Sequence, residues 1–333
     1  MTCLAPHLET FLRVHLPRDL RASVHTSASY AQSFLQFTRF AAARLSTEPS
    51  QIAIEQLSVQ VVLDFLDSLE KERENSIRTR NLRLVALKSF FRYLEYRDAS
   101  CLELSRQVRA IPSKRFEQRL IEYLDQDEMQ ALLDAPDTST TNGVRDRAML
   151  HLTYAAGLRV SELLGINRAD LGQNLETVHV LGKGRRERVL PLWKETRSVL
   201  EDWLSIRPSS NVDRVFLNAR GRPMSRHGFA HRLKLHVSVA KRKMPSMARK
   251  TVTPHVLRHS CAMNTYKATN GDVRKVSIML GHLGLKSTEV YVRTDVLERL
   301  EVLEARTAPQ IRRGRYDHAQ DRLTAMLKEV ARV

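Results

Sequence analysis

Three potentially cationic side chains fall within five positions of the stretch TPHVLRHS, residues 253–260: His255, Arg258 and His259. Pro254 suits the first position of a helix, and Thr253 suits its N-cap. The spacing i, i+3, i+4 then places all three on one face and leaves Val256 and Leu257 to a core. A helix that projects such a cluster from its first turn is suited to holding an anion. Zinc is the weaker choice, because the His-x-x-x-His metalloprotease signature needs Glu straight after the first His and Val256 stands there. His259, heading into the apolar run from Leu257 to Cys261, also reads as a buried, satisfied imidazole.

Three more stretches concentrate reactive groups. In AAGLRVSELLGI, Gly157 can end one helix in a left-handed cap, and Arg159 opens the next with Glu162 one turn on. An Arg at a helix start opposes the helix dipole, which suggests that it reaches for an anion. A surface pair between Arg159 and Glu162 accounts for it equally well. In LGKGRRERVL, Lys183 sits in a turn between two glycines, followed by Arg185 and Arg186. This is no P-loop, since GxxxxGK[ST] is absent and no helix follows; a solvated basic turn is the plain alternative. In MLGHLGLKSTEVYVRTD, Gly281-His282 reads as a loop, and Ser287-Thr288 starts a helix that carries Tyr291. A phenol titrates near pH 10, so Tyr291 serves as a nucleophile only beside a base or dense positive charge. Without them it is an ordinary packing aromatic.

The elements that must position these groups are mostly helices. Residues 1 to about 110 carry helical periodicity throughout: Tyr30, Phe34 and Phe37 form one stripe, and Val59, Val62, Leu63 and Leu66 form a second, after Ser58 as N-cap. A third stripe runs through Ile77, Leu84, Leu87, Phe91 and Leu94, with Arg78, Arg80, Arg83, Lys88 and Arg92 on its other face. The polar segment RQVRAIPSKRFEQRLIEYL, broken by Pro112, reads as a linker, placed at 111–119. Beyond it, DQDEMQALLDAP and NGVRDRAMLHLTYAAG are helical. TVHVLGKGRRERVLPL changes the period to two and reads as a β-hairpin, with Val178 and Val180 alternating with His179, and Val189 and Pro191 closing it. A short terminal helix carries Leu323, Met326, Leu327 and Val330. The expected fold is mainly α with a small antiparallel hairpin, in two domains.

The charge balance narrows the partner. The 333 residues hold 54 Lys plus Arg against 37 Asp plus Glu, a net of +17. Residues 1–117 carry 17 basic and 13 acidic side chains, and the remainder 37 and 24, so the surplus concentrates beside the candidate chemistry. Such an excess favours a polyanion, either nucleic acid or an acidic membrane surface. No stretch approaches 18 apolar residues, so no membrane-spanning helix is expected. Cys3, Cys101 and Cys261 lie far apart without a CxxC, which argues for a reducing cytosol and against a structural zinc site.

Taken in order, Arg-x-x-Glu, a Lys hairpin, His-x-x-Arg-His, and Gly-His with Tyr nine residues after that His resemble the tyrosine recombinase (phage integrase) family, in its Xer-like branch. RTRNLRLVALKSFFRYL is similar to that family's core-binding domain, and residues 120–305 to its catalytic domain. The resemblance implies a helical, SAM-like DNA-binding domain at 1–110 and an exchanged terminal helix at 306–333. It implies that Arg159 and Arg258 clamp the scissile phosphate while Glu162 supports Arg159. Lys183 is then the acid for the leaving 5′-oxygen, His255 the base for Tyr291, His282 a phosphate donor, and Tyr291 the nucleophile. Arg78, Arg80, Arg83, Lys88, Arg185 and Arg186 are the expected DNA contacts. The chemistry it implies uses no metal and no ATP. The implied partners are double-stranded DNA with inverted-repeat core sites and a homotetramer spanning two duplexes, with an accessory recombinase or DNA-bending protein, in the bacterial cytoplasm at the nucleoid. A type IB topoisomerase-like relaxing enzyme and an inactive DNA-binding regulator are the rival readings. The polar residues Asn264 and Thr265 depart from the family's usual small-and-leucine pattern.

Overall fold

The computed structural model describes residues 2–117, 121–182 and 187–281. Lys183, Arg185, Arg186, His282, Tyr291 and the expected terminal helix lie outside the described residues. The chain divides into two compact units, Met1–Gln118 and Arg119–Val333.

The first unit is helical. It runs through α1 (Leu4–Thr10), continued by a wider π-helical stretch Phe11–Asp19, then α2 (Val24–Leu45), α3 (Val59–Lys71), α4 (Ile77–Glu95) and α5 (Leu102–Ala110). The helix starts follow from local chemistry: Ser23, Ser58 and Ser76 each accept a backbone N–H from three residues on. α4 is central, with Leu84, Leu87, Phe91 and Leu94 fully buried as its apolar stripe predicts. Phe11, Phe34 and Phe90 meet edge-on with ring centroids 5.2–5.9 Å apart, the favoured arrangement of aromatic quadrupoles.

The basic face expected on α4 is only partly a surface. Arg78 is exposed, but Arg80 is 4% exposed. Its Nε lies 3.5 Å from Glu70 of α3, and it donates to the Pro112 carbonyl at 3.3 Å. Arg83 donates to Ser33 Oγ of α2 at 3.0 Å. Lys88 is half-buried, and burial, then Arg80, pull its ammonium below its usual value. Arg80 is therefore corrected from a DNA contact to a packing residue, because Glu70 arrives from another helix that face periodicity does not reveal. The solvent-facing positions of α4 are Arg78, Leu82, Val85 and Arg92. The expected linker also begins bound: Lys114 exchanges backbone hydrogen bonds with the Asn81 side chain and pairs with Glu70 at 2.7 Å.

The second unit holds α6 (Gln126–Leu133), α7 (Thr141–Ala155), α8 (Val160–Leu163), strands β1 (Thr177–Leu181) and β2 (Glu187–Pro191), α9 (Lys194–Ile206), α10 (Arg226–Lys243), α11 (Pro254–Ala268) and α12 (Val273–Leu280). α7 runs through its core, burying Ala148, Met149, Leu150 and Leu152, and packs on α9 and α11. A buried Asp146 on α7 binds Arg145 at 2.7 Å, His236 at 2.8 Å and Arg232, tying α10 to α7. Asn264 and Thr265 find partners: Asn264 donates to the Tyr154 hydroxyl at 3.0 Å, and Thr265 to Met279 Sδ at 3.2 Å. Those polar residues fasten α11 to α7 and α12, and the departure from the apolar pattern is accommodated.

The hairpin is antiparallel, with Val178 opposite Leu190 and Val180 opposite Arg188. Val178 and Val180 point inward as the period-two pattern predicts. On β2, however, the inward set is Arg188 and Leu190, while Val189 is 62% exposed. The stretch ERVLP offers one apolar residue to either face, and what Arg188 meets inside decides between them.

Candidate active site

The turn between α7 and α8 starts the site. Gly157 adopts φ +55°, and a Cβ there would fall 2.6 Å from Leu280 Cδ2 and 3.2 Å from Cys261 Sγ. Only glycine combines that conformation with that approach. The chain then places Arg159 as the N-cap of α8, and its backbone N–H donates to Glu162 Oε2 at 2.9 Å. The Arg159 guanidinium folds back onto Glu162 Oε1 at 2.7 Å. The pair foreseen as a surface alternative is thus made, but its acid is buried, at 6% exposure.

Arg188 reaches the same carboxylate from β2, with Nη2 at 2.9 Å from Oε2 and Nη1 at 3.4 Å from Oε1. Arg258 comes from the second turn of α11, after Thr253 has capped the Val256 N–H and Pro254 has set the first turn. Its Nη1 lies 3.7 Å from Glu162 Oε2. Arg258 is 4% exposed, so it does not share an outward face with His255 as the spacing suggested. It donates to the Gly157 carbonyl and, at 2.8 Å, to the Leu280 carbonyl. Leu280 ends α12, where a cation complements the helix dipole.

Three guanidinium groups therefore surround one carboxylate. Burial pushes the Glu162 acid up, but the bonds from Arg188 and from the Arg159 backbone outweigh it, and the carboxyl is held below its ordinary value. One negative charge against three positive ones leaves a surplus suited to a further anion. His255 is exposed and stacks on His259, centroids 6.4 Å apart. His259 is pushed down to about 4, by burial first and then by His255 and Arg258, so it is neutral at ordinary pH. The buried, satisfied imidazole expected at 259 fits this half-buried, neutral ring.

Of the expected catalytic set, the structure brings Arg159, Glu162 and Arg258 together and puts His255 one turn before Arg258. Lys183, His282 and Tyr291 lie outside the described residues. Gly281, which precedes His282, takes φ +63° at the end of α12, and a Cβ there would stand 3.1 Å from Arg188. Arg188 is the participant that motif reading missed. The alternation on β2 left its side undecided, since Val189 and Leu190 offer an apolar residue to either face; the register opposite the inward Val180 settles it. A cleft of about 680 Å³ between α6, α7 and α9, lined by Trp193 and His151, contains none of these residues.

Comparison with known proteins gives the family. A profile of the phage integrase family matches residues 122–298, and one of the phage integrase N-terminal SAM-like domain matches residues 8–98. The chain is 38% identical to y4rC of Sinorhizobium fredii (strain NBRC 101917 / NGR234), which carries an integrase/recombinase name, with 98% of each chain covered. It is 33% identical to the tyrosine recombinase XerC of Pelotomaculum thermopropionicum (strain DSM 13744 / JCM 10971 / SI), over 91% of this chain and 98% of the relative. Its fold is similar to that of the XerH site-specific recombinase bound to a palindromic difH substrate in a post-cleavage complex (TM-score 0.66, 20% identity, 86% and 80% covered). It is similar, too, to that of a lambda integrase tetramer bound to a Holliday junction (TM-score 0.60, 16% identity, 85% and 78% covered). A buried arginine cluster on a mainly helical frame and matches running nearly the full length of recombinases lead to one conclusion: the chain belongs to the phage integrase family of tyrosine recombinases and is a site-specific DNA recombinase.

Proposed function

We propose that this recombinase cleaves one strand at a time through Tyr291. The phenol oxygen attacks the scissile phosphorus, the bond to the 5′-oxygen breaks, and a 3′-phosphotyrosyl ester remains. His255 takes the phenol proton, and Lys183 gives a proton to the departing 5′-oxygen. Arg159 and Arg258 hold the non-bridging oxygens, His282 donates to the same phosphate, and Glu162 fixes the direction of Arg159. An incoming 5′-hydroxyl reverses the step, so the ester conserves the bond energy and ATP is not needed. The observation that carries this reading is the cluster of three arginines on one buried carboxylate, whose surplus charge matches a phosphodiester.

The substrate on this reading is duplex DNA with inverted-repeat core sites, bound by a tetramer that joins two duplexes through a Holliday junction. Residues 306–333 link neighbouring protomers, and an accessory recombinase or DNA-bending protein sets the order of strand exchange. The protein works in the cytoplasm, at the nucleoid. Arg185 and Arg186 hold DNA near the cleavage point, and the exposed Arg78 of α4 grips it from the first unit. Binding weakens steeply with salt, because each neutralised phosphate releases counterions.

A nicked suicide duplex tests the reading. The trapped adduct is expected on Tyr291 and is expected to pass its strand to a second duplex carrying the core site. An adduct that only reseals its own strand would mark a relaxing enzyme instead, and no adduct at all a binding protein. Lys183→Ala slows cleavage of an ordinary 5′-oxygen substrate, and a 5′-bridging sulfur, which departs without a proton, restores much of the rate. An equal deficit on both substrates removes the acid role from Lys183.

A further inference from the structure

We propose that Arg188 is a positioning residue for this reaction: its fork on Glu162 fastens the turn-proximal end of the β1–β2 hairpin to α8 and so fixes where the acid of that turn is delivered. The proposal rests on the cleavage scheme above, in which Lys183 is that acid.

At its outer end the hairpin is held on β1 by Val180, which is buried directly opposite Arg188, so on β2 the matching hold falls to Arg188. β1 and β2 form a two-stranded sheet among the described residues, and an isolated pair of strands is marginal without packing. Its far end is secured, because Val178 and Leu190 lie in the apolar core and Leu171 bridges to Val178. Beyond Val180 only the last described pair, Leu181 and Glu187, faces solvent on both strands. Arg188 is the next position in from Glu187, and Lys183 is the second residue past Leu181. The inward anchor nearest the turn on β2 is therefore a charged side chain rather than an apolar one.

That anchor is built to be stiff. The Arg188 side chain is 12% exposed, and its two terminal nitrogens take the two oxygens of Glu162 at 2.9 and 3.4 Å. A planar fork on a carboxylate fixes direction as well as distance, which a lysine does not. Glu162 is itself held on several sides, since Arg159 binds both of its oxygens from its own helix and Arg258 stands 3.7 Å away on α11. Gly281, at the end of α12, lies close enough that even a methyl group would crowd the Arg188 side chain. Arg188 thus joins β2, α8 and the end of α12, with each of its terminal nitrogens turned to an oxygen of Glu162. It acts through its neighbours rather than on the phosphate. If it is cut, Arg159 keeps its two bonds to Glu162 and Val180 still holds β1, but β2 loses its turn-side tether.

The test is single-turnover cleavage of a suicide duplex by the full chain, with either a 5′-oxygen or a 5′-bridging sulfur leaving group, alongside duplex affinity. Arg188→Met keeps the stem and removes the fork. It is expected to lower the cleavage rate about ten- to hundredfold, as loss of an orienting partner typically does, with duplex affinity unchanged. The sulfur leaving group recovers much of that loss, because delivery of the proton no longer matters. Arg188→Lys keeps the charge without the fork and falls between Met and wild type. A wild-type rate in Arg188→Met, or an equal loss on both leaving groups, overturns the proposal. If Arg188→Met fails to fold, Arg188→Lys carries the test alone, and a wild-type rate in it overturns the proposal. Wild type and Lys183→Ala run in parallel separate the two levels. Sulfur rescue in Lys183→Ala but not in the Arg188 variants sinks only the tether, whereas no adduct in wild type sinks the cleavage scheme.

Discussion

A Tyr291→Phe variant binds its DNA site with wild-type affinity and forms no denaturation-resistant adduct on a suicide duplex. The substitution removes one hydroxyl and keeps the ring, so packing and the positive surface that holds the phosphates stay as they are. In the proposed scheme the covalent bond to phosphorus is made by the oxygen that is missing, and no other side chain is assigned that attack. The phenol also needs help to ionise, since its ordinary value is about 10. Gel shift and denaturing electrophoresis on the same reactions read the two expectations separately. A covalent species that survives in the Phe variant means that another nucleophile does the work.

Glu162→Ala has the second large effect, and it falls on stability as well as on cleavage. Glu162 is buried against Arg159, Arg188 and Arg258, two of them nearly closed from solvent. Removing one partner of a buried ionic cluster leaves the others uncompensated and costs about 3–5 kcal/mol. Glu162→Gln preserves the shape but turns an NH₂ group toward guanidinium donors, so it too is destabilised. The pH dependence has a definite sign. Burial raises the Glu162 acid, the bonds from Arg188 and Arg159 outweigh that, and its folded value lies below the ordinary carboxylate value. Its contribution is therefore fully present above the ordinary value and is lost as pH falls through the folded one. Denaturant unfolding of wild type and Glu162→Ala should show a gap at neutral pH that narrows in acid. A gap that stays constant into acid would mean that the carboxylate charge is not what stabilises the cluster.

Local chemistry was readable from the chain alone. Ser58 and Thr253 cap their helices because an N-cap is decided by a few neighbouring residues, and Gly157 takes the left-handed turn because nothing else tolerates it. The Arg159–Glu162 pair was visible at one helical turn's spacing. What escaped were the facts that depend on which element arrives from elsewhere. Arg80 looks like its neighbours on α4 until α3 brings Glu70 against it and the 112 carbonyl closes over it. Arg258 looks like a member of an exposed basic face until two helix ends converge on it. Arg188 was passed over because ERVLP has a plausible apolar residue on each side, and only a buried carboxylate from α8 makes the charged side the inner one. Charge counted along a helix or strand identifies a basic region, but not which of its members are spent inside the protein.

The two carbonyls held by Arg258 have a practical meaning for anyone wishing to disarm this protein. Because that side chain staples together backbone from residues 157 and 280, removing it would strip two main-chain acceptors of their partner at the same moment as it removes the phosphate ligand of the proposed scheme. Loss of turnover at position 258 would then be entangled with loss of shape. An inert decoy that still occupies its DNA site must be made elsewhere on the molecule, where chemistry and architecture rest on different atoms.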